Sequence, residues 1–133
     1  MRFISIYKEH PVNDVNENTL LRFCSRSIVD QLLHFYSISD GVEAHVEGSD
    51  LVDYIRVDDY DFLADLQNRS ASEECFEGLF QIGSDGTGQV LAFDLDRPEP
   101  HPIVLHCPGL HDKGGAPIIA QSLDDLMFKM GIL

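Results

Sequence analysis

Phe80-Gln81-Ile82-Gly83-Ser84-Asp85-Gly86-Thr87-Gly88-Gln89-Val90-Leu91-Ala92-Phe93-Asp94-Leu95 sets the reading of the rest of the chain. Two apolar runs flank a tight cluster of Gly, Ser, Asp and Thr. Glycine tolerates positive φ and aspartate hydrogen-bonds within its own turn, so the cluster reads as a reversal between two strands. In the second run Leu91, Phe93 and Leu95 alternate with smaller or polar neighbours, the period of a half-buried strand. A glycine-rich turn also invites comparison with a phosphate cradle. The P-loop pattern needs Lys followed by Ser or Thr after its last glycine, and a dinucleotide fingerprint opens a helix. Here Gly88 leads into Gln89 and a strand, so the plain hairpin is the better reading.

Downstream, prolines enforce a turn across Asp96-Arg97-Pro98-Glu99-Pro100-His101-Pro102. Ile103 to His106 then reads as a third strand that makes a meander with the hairpin. Pro108 to Pro117 is the longest irregular stretch. In the closing segment Ser122 caps a helix and Asp125 completes a capping box. Leu123, Leu126, Met127 and Met130 share one face, and Gly131 stops the helix.

Upstream, Arg2 to Tyr7 reads as a short strand with either Phe3 and Ile6 or Ile4 and Tyr7 turned inward. From Thr19 the period becomes helical, with Cys24, Ile28 and Leu32 at steps of four. Two consecutive helices are expected, roughly 17–24 and 28–37, the second opened by Ser27 with Asp30 as a capping box and ended by Asp40-Gly41. Val42, Ala44 and Val46 alternate with Glu43, His45 and Glu47, the pattern of an edge strand. A weaker strand covers 51–57. Asp58-Asp59-Tyr60-Asp61 reads as an acidic helix start that turns Phe62, Leu63 and Leu66 inward. Asn68 to Glu74 reads as a polar loop.

The 133 residues and 44% hydrophobic content favour one domain with one core. No apolar run is long enough to span a bilayer, and the alternating N-terminal stretch lacks the apolar core of a secretory signal. Cys24, Cys75 and Cys107 are odd in number and widely spaced. They argue against a disulfide framework and for reduced thiols in the cytoplasm.

The formal net charge is −14, and its distribution is uneven. Residues 1–39 balance, whereas 40–65 carry nine acids against Arg56 alone, and 73–99 carry seven against Arg97. Such a field repels nucleic acid and anionic membranes and steers a basic protein partner, although acid-rich loops also serve solubility alone.

His101, His106, Cys107 and His111 raise the question of zinc. Structural zinc sites gather two close pairs across a longer gap, and adjacent His106 and Cys107 point to opposite faces of a strand. No metal or cofactor is expected. Acidic pairs at Asp58-Asp59, Glu73-Glu74, Asp94 with Asp96, and Asp124-Asp125 offer acid–base chemistry in principle. Turns and helix starts already account for most of them, and no nucleophile elbow or phosphate loop accompanies them. Enzymatic activity is therefore not expected.

One arrangement of motifs does resemble a known family. A helix closing on Leu33-His34-Phe35-Tyr36-Ser37-Ile38-Ser39-Asp40-Gly41 is followed by acidic weak strands, then by the Gly83-Ser84-Asp85-Gly86-Thr87-Gly88 turn. The strands Val90–Asp94 and Pro102–His106 follow, and Ile119-Ala120-Gln121-Ser122-Leu123-Asp124-Asp125-Leu126-Met127 closes the chain. Over nearly its whole length this resembles the SUKH superfamily, which joins fungal cell-wall assembly regulators to bacterial immunity proteins of polymorphic toxin systems. Three departures bear on the subfamily. Ser25-Arg26-Ser27 replaces a Leu-Pro, His106-Cys107 stand where an aromatic often follows the last strand, and Leu123 with Leu126-Met127 replace aromatics.

The resemblance implies an α+β fold: N-terminal helices and a C-terminal helix packed on a curved, mainly antiparallel sheet, without catalytic residues. It implies a protein-binding role, foremost an immunity protein that neutralises a cognate, basic, nuclease-type toxin domain. The alternative is a scaffold or regulatory domain for a housekeeping protein. The acids expected on the partner surface are Asp40, Glu43, Asp50, Asp53, Asp58, Asp59 and Asp61, with Asp85 at the hairpin turn.

Overall fold

A computed structural model of the chain describes residues 1–70, 78–108 and 115–133. Among the described residues, the apolar stretches form β1 (Arg2–Lys8), β2 (Val42–Glu47), β3 (Tyr54–Val57), β4 (Leu79–Ser84), β5 (Val90–Asp94), β6 (Ile103–His106) and β7 (Ile118–Ala120). The helices are α1 (Glu17–Leu21), α2 (Arg26–Ile38), α3 (Tyr60–Ser70) and α4 (Leu123–Met130). The strands pair in sequence order, every pairing antiparallel, and make one curled sheet with helices packed on it. The fold is therefore α+β, as the sequence leads one to expect.

The core fills the inner side of the curl. α2 contributes Ile28, Val29, Leu32, Phe35 and Tyr36, and α4 contributes Leu123, Leu126, Met127 and Met130. They meet alternate residues of the strands, among them Val42, Ala44, Ile55, Ile82, Phe93 and Leu105. α4 is built as the sequence indicates: the Ser122 hydroxyl accepts from the Asp125 amide at 3.0 Å, and Gly131 takes the left-handed conformation that ends the helix. The Asp125 carboxylate accepts from the Gln121 amide, which chiefly holds its pKa below the ordinary range.

Several expectations give way to tertiary structure. α2 begins at Arg26 behind Ser25, so Ser27 and Asp30 form no capping box; Arg26 instead bridges Glu17 of α1 and Asp30. β2 is an inner strand between β1 and β3, and β1 takes the edge. In β1 a register shift between Ile4 and Tyr7 surrounds Ser5, whose φ is 50°. The extra residue changes the alternation, so Phe3 and Ile6 both meet the core and Tyr7 faces outward. α3 buries Leu63 but leaves Phe62 41% exposed. Helix extends through Asn68 to Ser70, where a loop is expected, and 71–74 lie outside the described residues. β7, which the sequence does not announce, pairs with β6.

The stretch Phe35-Tyr36 to Asp40-Gly41 serves the packing of 57–60. The buried Tyr36 hydroxyl donates to the Asp58 carbonyl at 2.9 Å, and the Asp40 carboxylate accepts from the Tyr60 amide at 2.9 Å. Gly41, at φ 91°, sits where a Cβ would meet the Val57 carbonyl and Asp59 amide at 3.0 and 3.1 Å. It is thus the tight junction between α2 and β2, while the helix itself ends at the extended Ser39.

Candidate functional site

The outer face of the sheet divides in two. On β4–β6 it is closed: Gln81, Val90, Ala92, Asp94, Val104 and His106 are all buried. On β1–β3 it is open and polar, because Glu43, His45 and Glu47 of β2 alternate outward while Val42, Ala44 and Val46 fill the core. Cross-strand neighbours complete this open face. Arg2 pairs with Glu47 at 3.2 Å, the His45 and Tyr54 rings meet edge to face, and Glu43 lies between Tyr7 and Arg56 in register.

Two clefts border this face. The larger, about 390 Å³, lies between the β2–β3 connection and the β4–β5 turn, with Asp50, Leu51, Asp53 and Tyr54 on one side and Asp85 to Gln89 on the other. The smaller, about 180 Å³, gathers Tyr7, Glu9, Asp40, Glu43, Arg56 and Asp59. Tyr54 joins their rims. Its ring packs beside Gly86, and its hydroxyl donates to Glu43 at 2.8 Å. Burial and that hydrogen bond hold the Tyr54 phenol above its ordinary pKa.

The structure sorts the eight expected partner-facing acids by what each carboxylate does. Asp58 and Asp85 are not on the surface, being 3% and 5% exposed. Asp58 accepts from Arg56 Nε at 3.1 Å, yet burial outweighs that cation and raises its pKa to about 6. Asp85 fills the centre of the hairpin turn, where the amides of Thr87 and Gln89 and both of their side chains donate to it. Burial raises its pKa, and these four bonds together pull it below the usual carboxylate range. Two of the turn's amide donors, those of Thr87 and Gln89, are thus spent on an internal carboxylate. The turn joins β4 to β5 as an antiparallel hairpin, as the sequence indicates.

Asp40 and Asp59 are helix caps: Asp59 accepts from the Phe62 amide at 2.8 Å, as Asp40 does from Tyr60. Glu43 is tied to Tyr54. Asp50, Asp53 and Asp61 are exposed, and their carboxylates have no hydrogen-bond or ion-pair partner among the described residues. Asp61 lies on α3, away from both clefts' linings. Only Asp50 and Asp53 are therefore both unengaged and set in a concave site.

The other candidate groups are dispersed. His101 is buried with Nδ1 2.7 Å from the Arg97 carbonyl. His106 is buried on the outer face of β6, its Nε2 without a partner among the described residues, whereas Cys107 is exposed. Among the described residues no three His, Cys, Asp or Glu side chains are grouped to hold a metal ion. Cys24 donates to the Leu20 carbonyl, and burial pushes its thiol up to about 12, which leaves little thiolate at neutral pH. Of the acidic pairs, Asp94 is buried against Arg97 while Asp96 is exposed, and Asp124 meets His34 while Asp125 meets Lys129. Glu73, Glu74, Cys75 and His111 lie outside the described residues.

Sequence reasoning missed Leu51 and Tyr54. Leu51 is half exposed at the larger cleft, and an apolar side chain flanked by Asp50 and Asp53 is the signal that marks it. The chain is thus an α+β domain with one open, polar sheet face bordered by acidic clefts. No protein-family model matches it, and no curated protein matches it either. No helix among the described residues is long and apolar enough to cross a membrane.

Proposed function

We propose that this chain is a non-enzymatic protein-binding module that acts as an immunity protein in the cytoplasm, occluding a basic, nuclease-type toxin domain. One observation carries the reading: the open half of the sheet is rimmed by carboxylates that the chain's own cations do not neutralise. Among the described residues Asp50 and Asp53 have no partner, and Arg56 is the lone basic side chain lining either cleft. A toxin that grips phosphate presents a basic surface, and an acidic face gains association rate by complementing it. The resemblance of Phe35-Tyr36 to Asp40-Gly41, the hairpin turn and the last helix to the SUKH pattern points the same way.

The test is capture of binding partners from the native cell lysate at low salt, followed by an activity assay of whatever elutes at high salt. A basic protein whose nuclease or cytotoxic activity falls when one equivalent of this chain is added supports the reading. A housekeeping complex with unchanged activity moves the chain to the scaffold class and overturns it.

A further inference from the structure

The larger cleft has a chemistry of its own, and it narrows the kind of group that fits it. Its volume of about 390 Å³ is enclosed on one side by Asp50, Leu51, Asp53 and Tyr54 and on the other by the 85–89 turn, with no basic residue in its lining. An anion meets carboxylates and no cation in that lining, and the Thr87 and Gln89 amides already donate to Asp85. A wholly apolar ligand would strip water from Asp50 and Asp53 without replacing it. A cation on an apolar stem satisfies both halves of the lining: its charge meets the two carboxylates, and its methylenes lie along Leu51 and the Tyr54 ring. A planar guanidinium suits this better than an ammonium, since it forks onto carboxylates and stacks on an aromatic face.

We propose that this cleft receives an arginine side chain projecting from a basic protein partner, laid along Leu51 and Tyr54 and paired with Asp50 and Asp53. The inference rests on the protein-binding reading above and adds to it the face used and the anchoring residue. The open sheet face around Glu43, His45 and Glu47 then lies under the partner's surrounding surface, while the buried Asp58, outside this cleft's lining, stays out of contact.

The probe is the capped tripeptide acetyl-Gly-Arg-Gly-amide, titrated at low ionic strength into the full chain and followed by amide chemical shifts. Saturable shifts at 50–54 and 86–89 are expected, absent with the citrulline peptide and weaker with the lysine peptide. The Asp50→Asn/Asp53→Asn double variant should keep its spectrum elsewhere and bind roughly three- to tenfold more weakly, two exposed charge pairs being lost. Shifts spread over acids such as Asp30 and Asp61, equal binding of citrulline or lysine, or an unaffected double variant would each overturn the proposal. The two readings fail separately. A captured toxin that the double variant still inhibits at full strength removes the cleft and leaves the immunity function, whereas capture of a housekeeping complex removes that function whatever the tripeptide does.

Discussion

The β1–β3 and β4–β6 halves of the sheet share one core but treat their outer faces in opposite ways. On β5 and β6 every residue is buried, so apolar and polar side chains alike are enclosed and the runs read as continuous hydrophobic strands. On β2 the burial alternates strictly, and the outward residues are two glutamates and a histidine. The closed half offers water little of either face, whereas the open half exposes a polar one. The two join through only two register pairs, Arg56 with Ser84 and Val57 with Gly83. The difference shows that acids on this chain stand in two settings, bonded within the fold or exposed to water, and that sequence position alone does not tell them apart.

The seam should be the most sensitive place to strike. A Cβ built on Gly83 would lie 1.8 Å from the Arg56 carbonyl, so Gly83→Ala must push β3 from β4. It should lower stability by about 3 kcal/mol or more in denaturant unfolding. A loss under about 1 kcal/mol would show that the halves are not held in this register.

Asp58 offers a pH test of the same seam. Its folded pKa of about 6 lies above the ordinary value of 3.8, so the folded state holds its proton more tightly than the unfolded one. Its contribution therefore stabilises progressively as pH falls from about 7 toward 4, and opposes folding above about 6. The span is on the order of 1–3 kcal/mol. Comparing the pH dependence of wild-type stability with that of Asp58→Asn isolates it, and identical slopes would contradict the burial.

Asp85 runs the other way. Its carboxylate is held below the usual range, so the stabilisation is complete above the unfolded value near 3.8 and fades as pH falls through the lower folded one. Asp85→Ala removes the acceptor of four bonds and should cost about 1–3 kcal/mol at neutral pH. That loss should shrink at acid pH, a trend opposite to that of Asp58.

The smallest effect sharpens the contrast most. Asp50→Asn/Asp53→Asn changes two exposed, unengaged acids of the open half. It should leave thermal stability within about 0.5 kcal/mol of wild type while weakening binding of the arginine tripeptide. A large stability loss would mean that these acids build the fold after all.

Much of the fold is legible in the residues themselves. The hairpin between β4 and β5 follows from two apolar runs around a Gly- and Asp-rich turn, and α4 from Ser122, its apolar stripe and Gly131. These are local signals, set by backbone sterics and near-neighbour hydrogen bonds. β7 escapes notice because Ile118–Ala120 is too short to show a period and exists by pairing with β6. Phe62 and Tyr7 look like core residues, yet one is turned outward by the phase of α3 and the other by the bulge at Ser5.

For the candidate site the division is sharper. The sequence by itself determined most of the strands and helices and the crowding of acids between 40 and 99, because composition and periodicity are properties of the chain; the α+β class came from the family resemblance. Tertiary structure alone decided which acids are free. Asp85 bonds to residues two and four places away, but its burial depends on the turn closing around it. Asp40 caps a helix twenty residues downstream, and Asp58 is buried beside Arg56. Asp50 and Asp53, without a partner among the described residues, lie on a cleft formed when two distant loops come together. A carboxylate's role depends on the water it loses and the donors it gains, and both are fixed by parts of the chain that meet only on folding.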